Sequence, residues 1–285
     1  RAAMADIQVS PGSVVGPALT WLNVNYHGVF KAIAGFFDFW VSGIAGILTS
    51  VHPSIVITTL SLLALLVSGW RMGVLTMLGL ALCIAMGMWV ATVQTIALVM
   101  LAVLMSMLIG IPLGIAISRS KRMQAVARPV LDLMQTLPPW VYLVPAVILF
   151  GLGTVPALIS TIVYGVAPMV RLTVLAMTQI PRERIELGRA VGATKLDLLR
   201  KIELPSALPT LLVGVNQCIL LSLAMVVLAG LVGAGGLGAE VTRGLTRLDF
   251  GLGLRASLAI VALAIVMDRV FRGAIPAVYL PKAKH

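Results

Sequence analysis

The sequence predicts an all-α polytopic membrane protein with about seven transmembrane helices. Of its 285 residues, 60% are apolar and only 11% are charged, and the mean hydropathy is +1.06. A soluble domain carries about 25% charged residues, so this chain lacks the polar surface needed to cover itself in water. Three segments without Asp, Glu, Lys or Arg are each longer than the ~20 residues of a bilayer-spanning helix: 72–118, 133–170 and 204–239.

The net charge of +11 comes from basic residues in short clusters between the apolar segments. Cytoplasmic loops show this arrangement under the positive-inside rule. A nucleic-acid-binding surface, which a pI near 10.5 also suggests, would gather the basic residues into one tract or stripe, so we expect no nucleic-acid partner. Both cysteines, Cys83 and Cys218, lie in apolar runs and are predicted to be small packing residues.

The chain is expected to begin with a loosely held tail over residues 1–27. The segment 28–50 is rich in aromatic residues and contains Lys31 and Asp38. It predicts an amphipathic helix that lies in the membrane interface, and a buried span is the alternative.

Seven spans are predicted after this helix, two peripheral ones within 51–91 and five in a core that occupies 92–275. Prolines and glycines interrupt several of them, and a broken helix in lipid needs neighbouring helices or a water-filled cavity to satisfy its freed backbone groups. This favours a transporter or channel over a simple anchor, although kinks that serve packing alone are the alternative. The predicted spans are 53–70, 72–91, 93–117, 128–150, 155–178, 207–231 and 255–274.

The basic connections orient the chain when they are placed in the cytoplasm. The connections 118–128 and 182–203 and the tail 276–285 are basic, which puts the N-terminus outside and the C-terminus inside. One outer segment is an exception, because 235–255 contains Arg243, Arg247 and Arg255, which two acidic residues only partly balance.

The connection 182–205 is the most informative stretch of the sequence. It is amphipathic from Glu186 to Arg200, Gly192 predicts a turn, and Leu204–Pro205 is expected to stop the helix before the next span. An exposed amphipathic element between two spans fits a groove on a partner protein. A helix lying on lipid headgroups is the alternative.

This connection resembles the cytoplasmic signature of the permease subunits of bacterial ATP-binding-cassette (ABC) importers. The signature reads E-A-A, three residues, G, nine residues, then I-x-L-P, and the same spacing runs here from Glu186 through Gly192 to Ile202-Glu203-Leu204-Pro205. Leu187 and Gly188 replace the two alanines, which puts the close approach of helices at Leu187 in doubt. The resemblance implies that residues 182–205, called the coupling segment below, contact a separate ATPase. The implied coupling residues are Glu186, Ala190, Gly192, Ala193, Ile202, Leu204 and Pro205.

Three further stretches resemble the glycine betaine/proline/choline permeases of this superfamily: "RPVLDLMQTLPPWVYLVPAVILFGLGTVP", "GVNQCILLSLAMVVLAGLVGAGGLGAEV" and "RLDFGLGLRASLAIVALAIVMDR". The resemblance covers about residues 50–272. It implies a type I importer permease core in the bacterial inner membrane, which forms a homodimer and imports osmoprotectants by alternating access. Two ATPase subunits and a separate extracytoplasmic binding protein would complete the assembly.

No catalytic residue, metal or cofactor is expected in this chain. It has no G-x-x-x-x-G-K-[ST] phosphate loop, so ATP and Mg would bind to the partner ATPase. A methionine or sulfonate permease of the same superfamily is the nearest alternative. An ion-coupled secondary transporter would need a membrane-embedded carboxylate or an inverted repeat, and a scaffolding protein would leave the signature spacing unexplained.

Polar and aromatic residues inside the spans are the candidates for a translocation pathway. Interhelical hydrogen bonding is the alternative role for each of them. Near them, Asp132 is predicted to pair with Arg128, four residues earlier. The pathway candidates are Gln135, Thr136, Trp140, Tyr142, Tyr164, Asn216, Gln217 and Ser222.

The glycines of "LVGAGGLGAE", residues 231–240, have the G-x-G-x-x-G spacing of a dinucleotide-binding loop. Such a loop follows a strand and has an acidic residue about 20 positions later; here it follows a long apolar span, and that acidic residue is missing. The resemblance implies a tight turn at the outer mouth that docks the binding protein, and a plain helix C-cap is compatible with this. The implied docking residues are Gly233, Gly235, Gly236 and Gly238.

Overall fold

The computed structural model describes residues 12–273, and this part of the chain is helical without any strand. A six-residue π-helix, Leu198–Glu203, and a 3₁₀ turn, Gly230–Val232, interrupt the α-helices. The α-helices are α1 Gly12–Asn25, α2 His27–Ser50, α3 Pro53–Ser68, α4 Trp70–Ala85, α5 Trp89–Ser118, α6 Lys121–Thr136, α7 Trp140–Phe150, α8 Thr154–Thr178, α9 Arg182–Ala190, α10 Lys195–Asp197, α11 Leu204–Ala229, α12 Gly236–Thr246 and α13 Phe250–Gly273.

The core forms where α5, α8 and α11 pack together, and these three helices hold most of the fully buried side chains. The helices approach closely where small residues face each other. A Cβ added at Gly165 would lie 2.6 Å from the Cys218 sulfur and 2.8 Å from the Ser106 hydroxyl. The Ser106 hydroxyl donates to the Ile162 carbonyl at 3.1 Å. Cys83 and Cys218 are both buried, which confirms their predicted role as packing residues.

The two ends of this bundle differ in the segments that they carry. The end that carries the coupling segment is called the coupling end. At the opposite end, called the glycine-loop end, the backbone N–H of Gly153 donates to the Val232 carbonyl at 2.8 Å. The start of α5 also lies there, since the Gln94 side chain accepts from the N–H of Gly236 at 2.9 Å.

The number of spans is not settled by helix length. Five described helical segments are long and apolar enough to cross a membrane, and a bent pair would make six. The two peripheral spans predicted at 53–70 and 72–91 are the helices α3 and α4, of 16 residues each. Such helices are about 24 Å long, which is shorter than the ~30 Å hydrocarbon core of a bilayer. The count of seven therefore stays a prediction.

The N-terminal part differs from the expected tail, since residues 12–25 form α1. The Asn23 side chain donates to the Ile148 carbonyl at 2.8 Å, and Phe30 of α2 meets Phe150 with ring centroids 5.4 Å apart. This places the start of α2 beside the last turn of α7, at the glycine-loop end. By length and composition α2 could itself cross a membrane, so its interfacial position stays a prediction. Residues 1–11 and the predicted tail 276–285 lie outside the described residues.

The span predicted at 128–150 is interrupted in the structure. Two helices, α6 and α7, occupy this region, and the chain bends by 88° between them. The bend falls at Pro138 and Pro139, because proline lacks a backbone donor and its ring clashes with the preceding helical turn. The predicted Asp132–Arg128 pair is wrong, since the Asp132 carboxylate pairs with Arg171 of α8.

The expected stop at Leu204–Pro205 is absent, because one helical segment runs from 195 to 232. The π-helix Leu198–Glu203 explains how proline is accommodated. The N–H of Leu204 donates to the Leu199 carbonyl, five residues earlier, and the wider turn gives room for the Pro205 ring at the start of α11.

Candidate functional sites

The coupling segment is built around a Schellman turn that ends α9. The N–H of Ala193 donates to the Gly188 carbonyl at 3.0 Å, and the N–H of Gly192 donates to the Arg189 carbonyl at 3.0 Å. Gly192 has φ +80°, a conformation that costs a residue with a side chain about 1–2 kcal/mol. The turn predicted at Gly192 is therefore confirmed, with a physical reason for glycine.

Gly188 is the position of close approach in this segment, and Leu187 beside it is exposed. A Cβ at Gly188 would lie 2.5 Å from Cδ1 of Ile202 and 2.8 Å from Cδ2 of Leu198, so glycine lets α9 pack on the π-helix. Leu187, Val191 and Leu196 are exposed. These three exposed apolar residues are called the apolar tip below.

The residues predicted to contact the ATPase lie on both sides of this turn. Glu186, Ala190 and Gly192 are exposed beside the apolar tip. Ala193, Ile202 and Leu204 are half-buried, and Pro205 is exposed at the start of α11. The coupling prediction itself stays a prediction.

A capped turn follows Gly192 and restarts the helix. The N–H of Asp197 donates to the Thr194 hydroxyl at 3.2 Å, and Lys201 pairs with the Asp197 carboxylate at 2.8 Å. Hydrogen bonds from Lys201 first, and from Thr194 second, lower the pKa of Asp197 to about 2. The carboxylate is therefore ionised throughout the physiological pH range.

A buried carboxylate ties the coupling segment to α5, and sequence reasoning missed it. Glu203 is 4% exposed, and its two oxygens accept from the Arg119 guanidinium at 2.7 and 2.5 Å. The carboxylate raises the pKa of Arg119. The two residues are 84 positions apart, and the only sequence signal is a charged residue between Ile202 and Leu204 in a position that the signature leaves free.

The glycine loop at the opposite end repeats the turn that ends α9. The N–H of Ala234 donates to the Ala229 carbonyl at 3.2 Å, and Gly233, with φ +81°, donates to Gly230 at 3.3 Å. This is the helix C-cap that the glycine pattern predicts. The loop then starts α12, whose first backbone donors are satisfied by the side chains of Gln94 and Thr95 at 2.9 Å.

Gly230 and Gly238 of this loop are required by space, while Gly235 and Gly236 have φ +76° and +67°. A Cβ at Gly230 would lie 2.2 Å from the backbone of Gly238, and a Cβ at Gly238 would lie 2.2 Å from the Val226 carbonyl oxygen. Of the predicted docking residues, Gly236 and Gly238 are buried, Gly235 is half-buried and Gly233 is exposed. The described structure thus accounts for the spacing of these glycines by a turn and a close helix contact.

The predicted pathway residues separate into two groups. One group lies at the bend between α6 and α7, where the Tyr142 and Tyr164 rings stand 5.6 Å apart and Tyr142 donates to the Met134 carbonyl. Gln135, Thr136 and Trp140 also lie at this bend, and the buried Gln135 Nε2 has no hydrogen-bond partner among the described residues.

The second group lies on α11. Asn216 is buried and its side chain donates to Asp268 of α13 at 2.9 Å, which is the interhelical role kept as the alternative. Ser222 is also buried, and its hydroxyl has no partner within the described part of the chain. Gln217, the residue after Asn216, is exposed.

Comparison with known proteins identifies the family. The model of the "Binding-protein-dependent transport system inner membrane component" family matches residues 106–278. The chain is 41% identical over 258 residues to the glycine betaine/proline betaine transport system permease protein ProW of Escherichia coli K12, covering 90% of this chain and 73% of that protein. It is 38% identical to the glycine betaine transport system permease protein OpuAB of Bacillus subtilis 168, covering 90% of this chain and 91% of that protein.

The fold is also found among solved structures. An inward-facing MetNI methionine ABC transporter superposes with a TM-score of 0.56 and 24% identity, over 65% of this chain and 94% of that one. This likeness confirms the type I permease core that the sequence predicted. The chain therefore belongs to the family of inner-membrane components of binding-protein-dependent transport systems, the multi-pass permeases of ABC importers.

Proposed function

We propose that this chain is the permease of an ATP-driven importer of osmoprotectants such as glycine betaine, proline or choline. The observation that carries the proposal is the coupling segment, in which a rigid turn presents an apolar tip outside the bundle. The printed functions of the relatives, glycine betaine and proline betaine transport, support this substrate class. The chain itself is a transport component.

The apolar tip is the proposed contact with a separate ATPase, which binds ATP and Mg. Leu187, Val191 and Leu196 are exposed in an amphipathic segment that also carries many basic residues. Exposed apolar side chains held in a fixed turn fit an apolar groove on a partner. Two ATPase subunits would serve a homodimer of this chain.

The glycine-loop end is the proposed outer mouth, where an extracytoplasmic binding protein docks beside the exposed Gly233. With the basic coupling end in the cytoplasm, the N-terminus lies outside and the C-terminus inside. The bend between α6 and α7 supports a pathway there, because broken helices in a membrane occur where they line a cavity or are buried in protein. The Tyr142–Tyr164 pair offers aromatic faces for a quaternary ammonium group in transit.

Reconstitution tests this proposal. The chain is purified with its ATPase and placed in vesicles with ATP trapped inside, and the binding protein is added on the accessible side. We expect accumulation of labelled glycine betaine, choline or proline only with ATP and only with the binding protein. Accumulation of methionine alone would assign the chain to the alternative substrate class. Uptake driven by an ion gradient without ATP would contradict the proposed function.

A further inference from the structure

The Arg119–Glu203 ion pair joins the coupling segment to a different part of the bundle. Glu203 is the last residue of the π-helix, between the apolar tip and α11. Arg119 directly follows α5 and precedes α6. The pair therefore connects the segment that would meet an ATPase with the junction of two other helices.

The geometry of the pair favours a rigid connection. Both carboxylate oxygens of Glu203 are held by the two terminal nitrogens of Arg119. This bidentate arrangement fixes direction as well as distance, which a single ammonium group cannot do. Glu203 is 4% exposed, so water cannot readily replace Arg119 as its partner.

Stability alone does not call for this pair. Removing the Glu203 carboxylate from water is costly, and an apolar side chain of similar size is commonly as stable in such a position, whereas the Arg119 side chain stays half exposed. A buried carboxylate between the apolar neighbours Ile202 and Leu204 is therefore better explained by a positioning role.

The backbone next to Glu203 does not by itself form a rigid connection between α9 and α11. The π-helix is underwound, with the N–H of Leu204 bonded five residues back to Leu199, and Pro205 contributes no backbone donor. Such π segments are frequent at functional sites. A displacement of α9 and α10 could be absorbed here unless a side chain fixes the far end of the π-helix.

The junction between α5 and α6, where Arg119 lies, is held by local hydrogen bonds. The Gln124 side chain donates to the Ser118 carbonyl at 2.9 Å, and the Ser120 hydroxyl caps the start of α6 by accepting from Met123 at 3.5 Å. Arg119 stands between these two contacts. A movement passed to Arg119 therefore reaches the end of α5 and the start of the bent α6–α7 pair together.

We propose that the Arg119–Glu203 pair is the link that passes displacement of the coupling segment to the α5–α6 junction. This inference rests on the proposed function. Both residues are positioning residues, because they act through the helices that they join. The amount of substrate moved per ATP hydrolysed depends on the link.

The test replaces both charges with apolar side chains, in the double variant Arg119→Met/Glu203→Met. The complex with ATPase and binding protein is reconstituted, and glycine betaine uptake, ATP hydrolysis and melting temperature are measured on the same preparation. We expect assembly and melting as in the unmodified complex, continued ATP hydrolysis, and uptake per ATP lower by about tenfold or more. Unchanged uptake per ATP in this variant would overturn the inference, since a merely structural pair is replaced without loss.

The exposed pair Arg171–Asp132 provides a matched control. It also joins two helices, α8 and α6, and neither residue belongs to the coupling segment. The variant Arg171→Met/Asp132→Met should keep uptake per ATP within about twofold, as expected for an exposed ion pair. An equal loss in both double variants would overturn a specific role for Glu203.

A conservative variant keeps the inference testable if the double variant does not assemble. Arg119→Lys retains a positive charge beside the buried carboxylate but loses the bidentate pair of hydrogen bonds. It should lower uptake per ATP by about threefold or more. Unchanged coupling in Arg119→Lys would contradict the link. Lack of ATP-driven uptake by the unmodified complex would instead contradict the proposed function, so the two failures are distinguishable.

Discussion

Two turns of this molecule use the same backbone motif in opposite surroundings. At the coupling end, Gly192 closes α9 through bonds from Ala193 to Gly188 and from Gly192 to Arg189. At the glycine-loop end, Gly233 closes α11 through the corresponding bonds. A Cβ at Gly192 would meet nothing within 4 Å, whereas the neighbours of Gly233 in the loop, Gly230 and Gly238, have no room for one.

Glycine is therefore present for two separate reasons. At the coupling end Gly192 supplies a positive φ, and nothing lies within 4 Å of the place that a Cβ would take. At the glycine-loop end Gly233, Gly235 and Gly236 have positive φ, while Gly230 and Gly238 allow α11 and α12 to touch through their backbones. The first two substitutions below separate these reasons.

The largest effect is expected for Gly238→Ala. The added Cβ would lie 2.2 Å from the Val226 carbonyl oxygen and 3.0 Å from the Val227 Cα, and these backbone atoms cannot move without shifting α11. Overpacking of this kind costs about 3 kcal/mol or more, so thermal melting in detergent should show loss of the folded protein. Gly43→Ala is the matched control, because nothing lies within 4 Å of that position. Equal melting of both variants would contradict the packing described here.

A smaller effect on folding but a large one on transport is expected at Gly192. Gly192→Ala and Gly192→Leu both place a side chain at a positive φ, which destabilises the fold by about 1–2 kcal/mol. Both variants should still insert and fold. Only the leucine fills the open space, so it should abolish uptake and ligand-stimulated ATP hydrolysis. Normal stimulated hydrolysis in Gly192→Leu would show that this space is not used by a partner.

A third turn of the same kind should be improved by glycine. At the end of α12, Leu248 has φ +54° and Asp249 donates to the Gly244 carbonyl at 2.9 Å, so leucine occupies the position that glycine holds in the other two turns. Leu248→Gly should raise stability by about 1 kcal/mol, measured as a higher melting temperature. Leu248→Ala, which keeps the strained conformation, should show no gain, and a gain of equal size in both would argue against backbone strain.

The smallest effect concerns pH and the cap at Thr194–Asp197. The pKa of Asp197 is lowered to about 2 from its usual 3.8, so its contribution to stability is complete above about pH 4 and is lost as the pH falls through about 2. The melting difference between Asp197→Asn and the unmodified chain should therefore be the same at pH 8 and pH 5. The difference should shrink below about pH 4, and a difference that stays constant down to about pH 2 would mean that Lys201 does not hold the carboxylate.

Much of this architecture is predictable because composition and spacing report it directly. Charge-free segments identify the apolar helices, and the signature from Glu186 to Pro205 locates the coupling segment. Gly192 predicts its turn because few other residues adopt that φ. The sequence also indicates the family, since these spacings extend over most of the core.

What the sequence does not predict depends on contacts between distant segments. The Arg119–Glu203 and Arg171–Asp132 pairs form only after separate helices have packed, whereas the local i,i+4 rule favoured Arg128 as the partner of Asp132. Pro138 and Pro139 bend the chain by 88°, but Pro205 does not stop its helix because a π-helix precedes it. Proline identity alone cannot distinguish these outcomes.

Cross-linking from the coupling segment and from the turn that ends α12 tests whether the apolar tip contacts the ATPase. Val191→Cys at the apolar tip and Leu248→Cys at the opposite end place a single exposed thiol in each variant, since Cys83 and Cys218 are buried. With a short thiol-reactive photo-cross-linker in membranes that contain the ATPase, we expect Val191→Cys to form an adduct with the ATPase whose yield changes with ATP, and Leu248→Cys to form none. An ATPase adduct from Leu248→Cys, or none from Val191→Cys, would contradict the account.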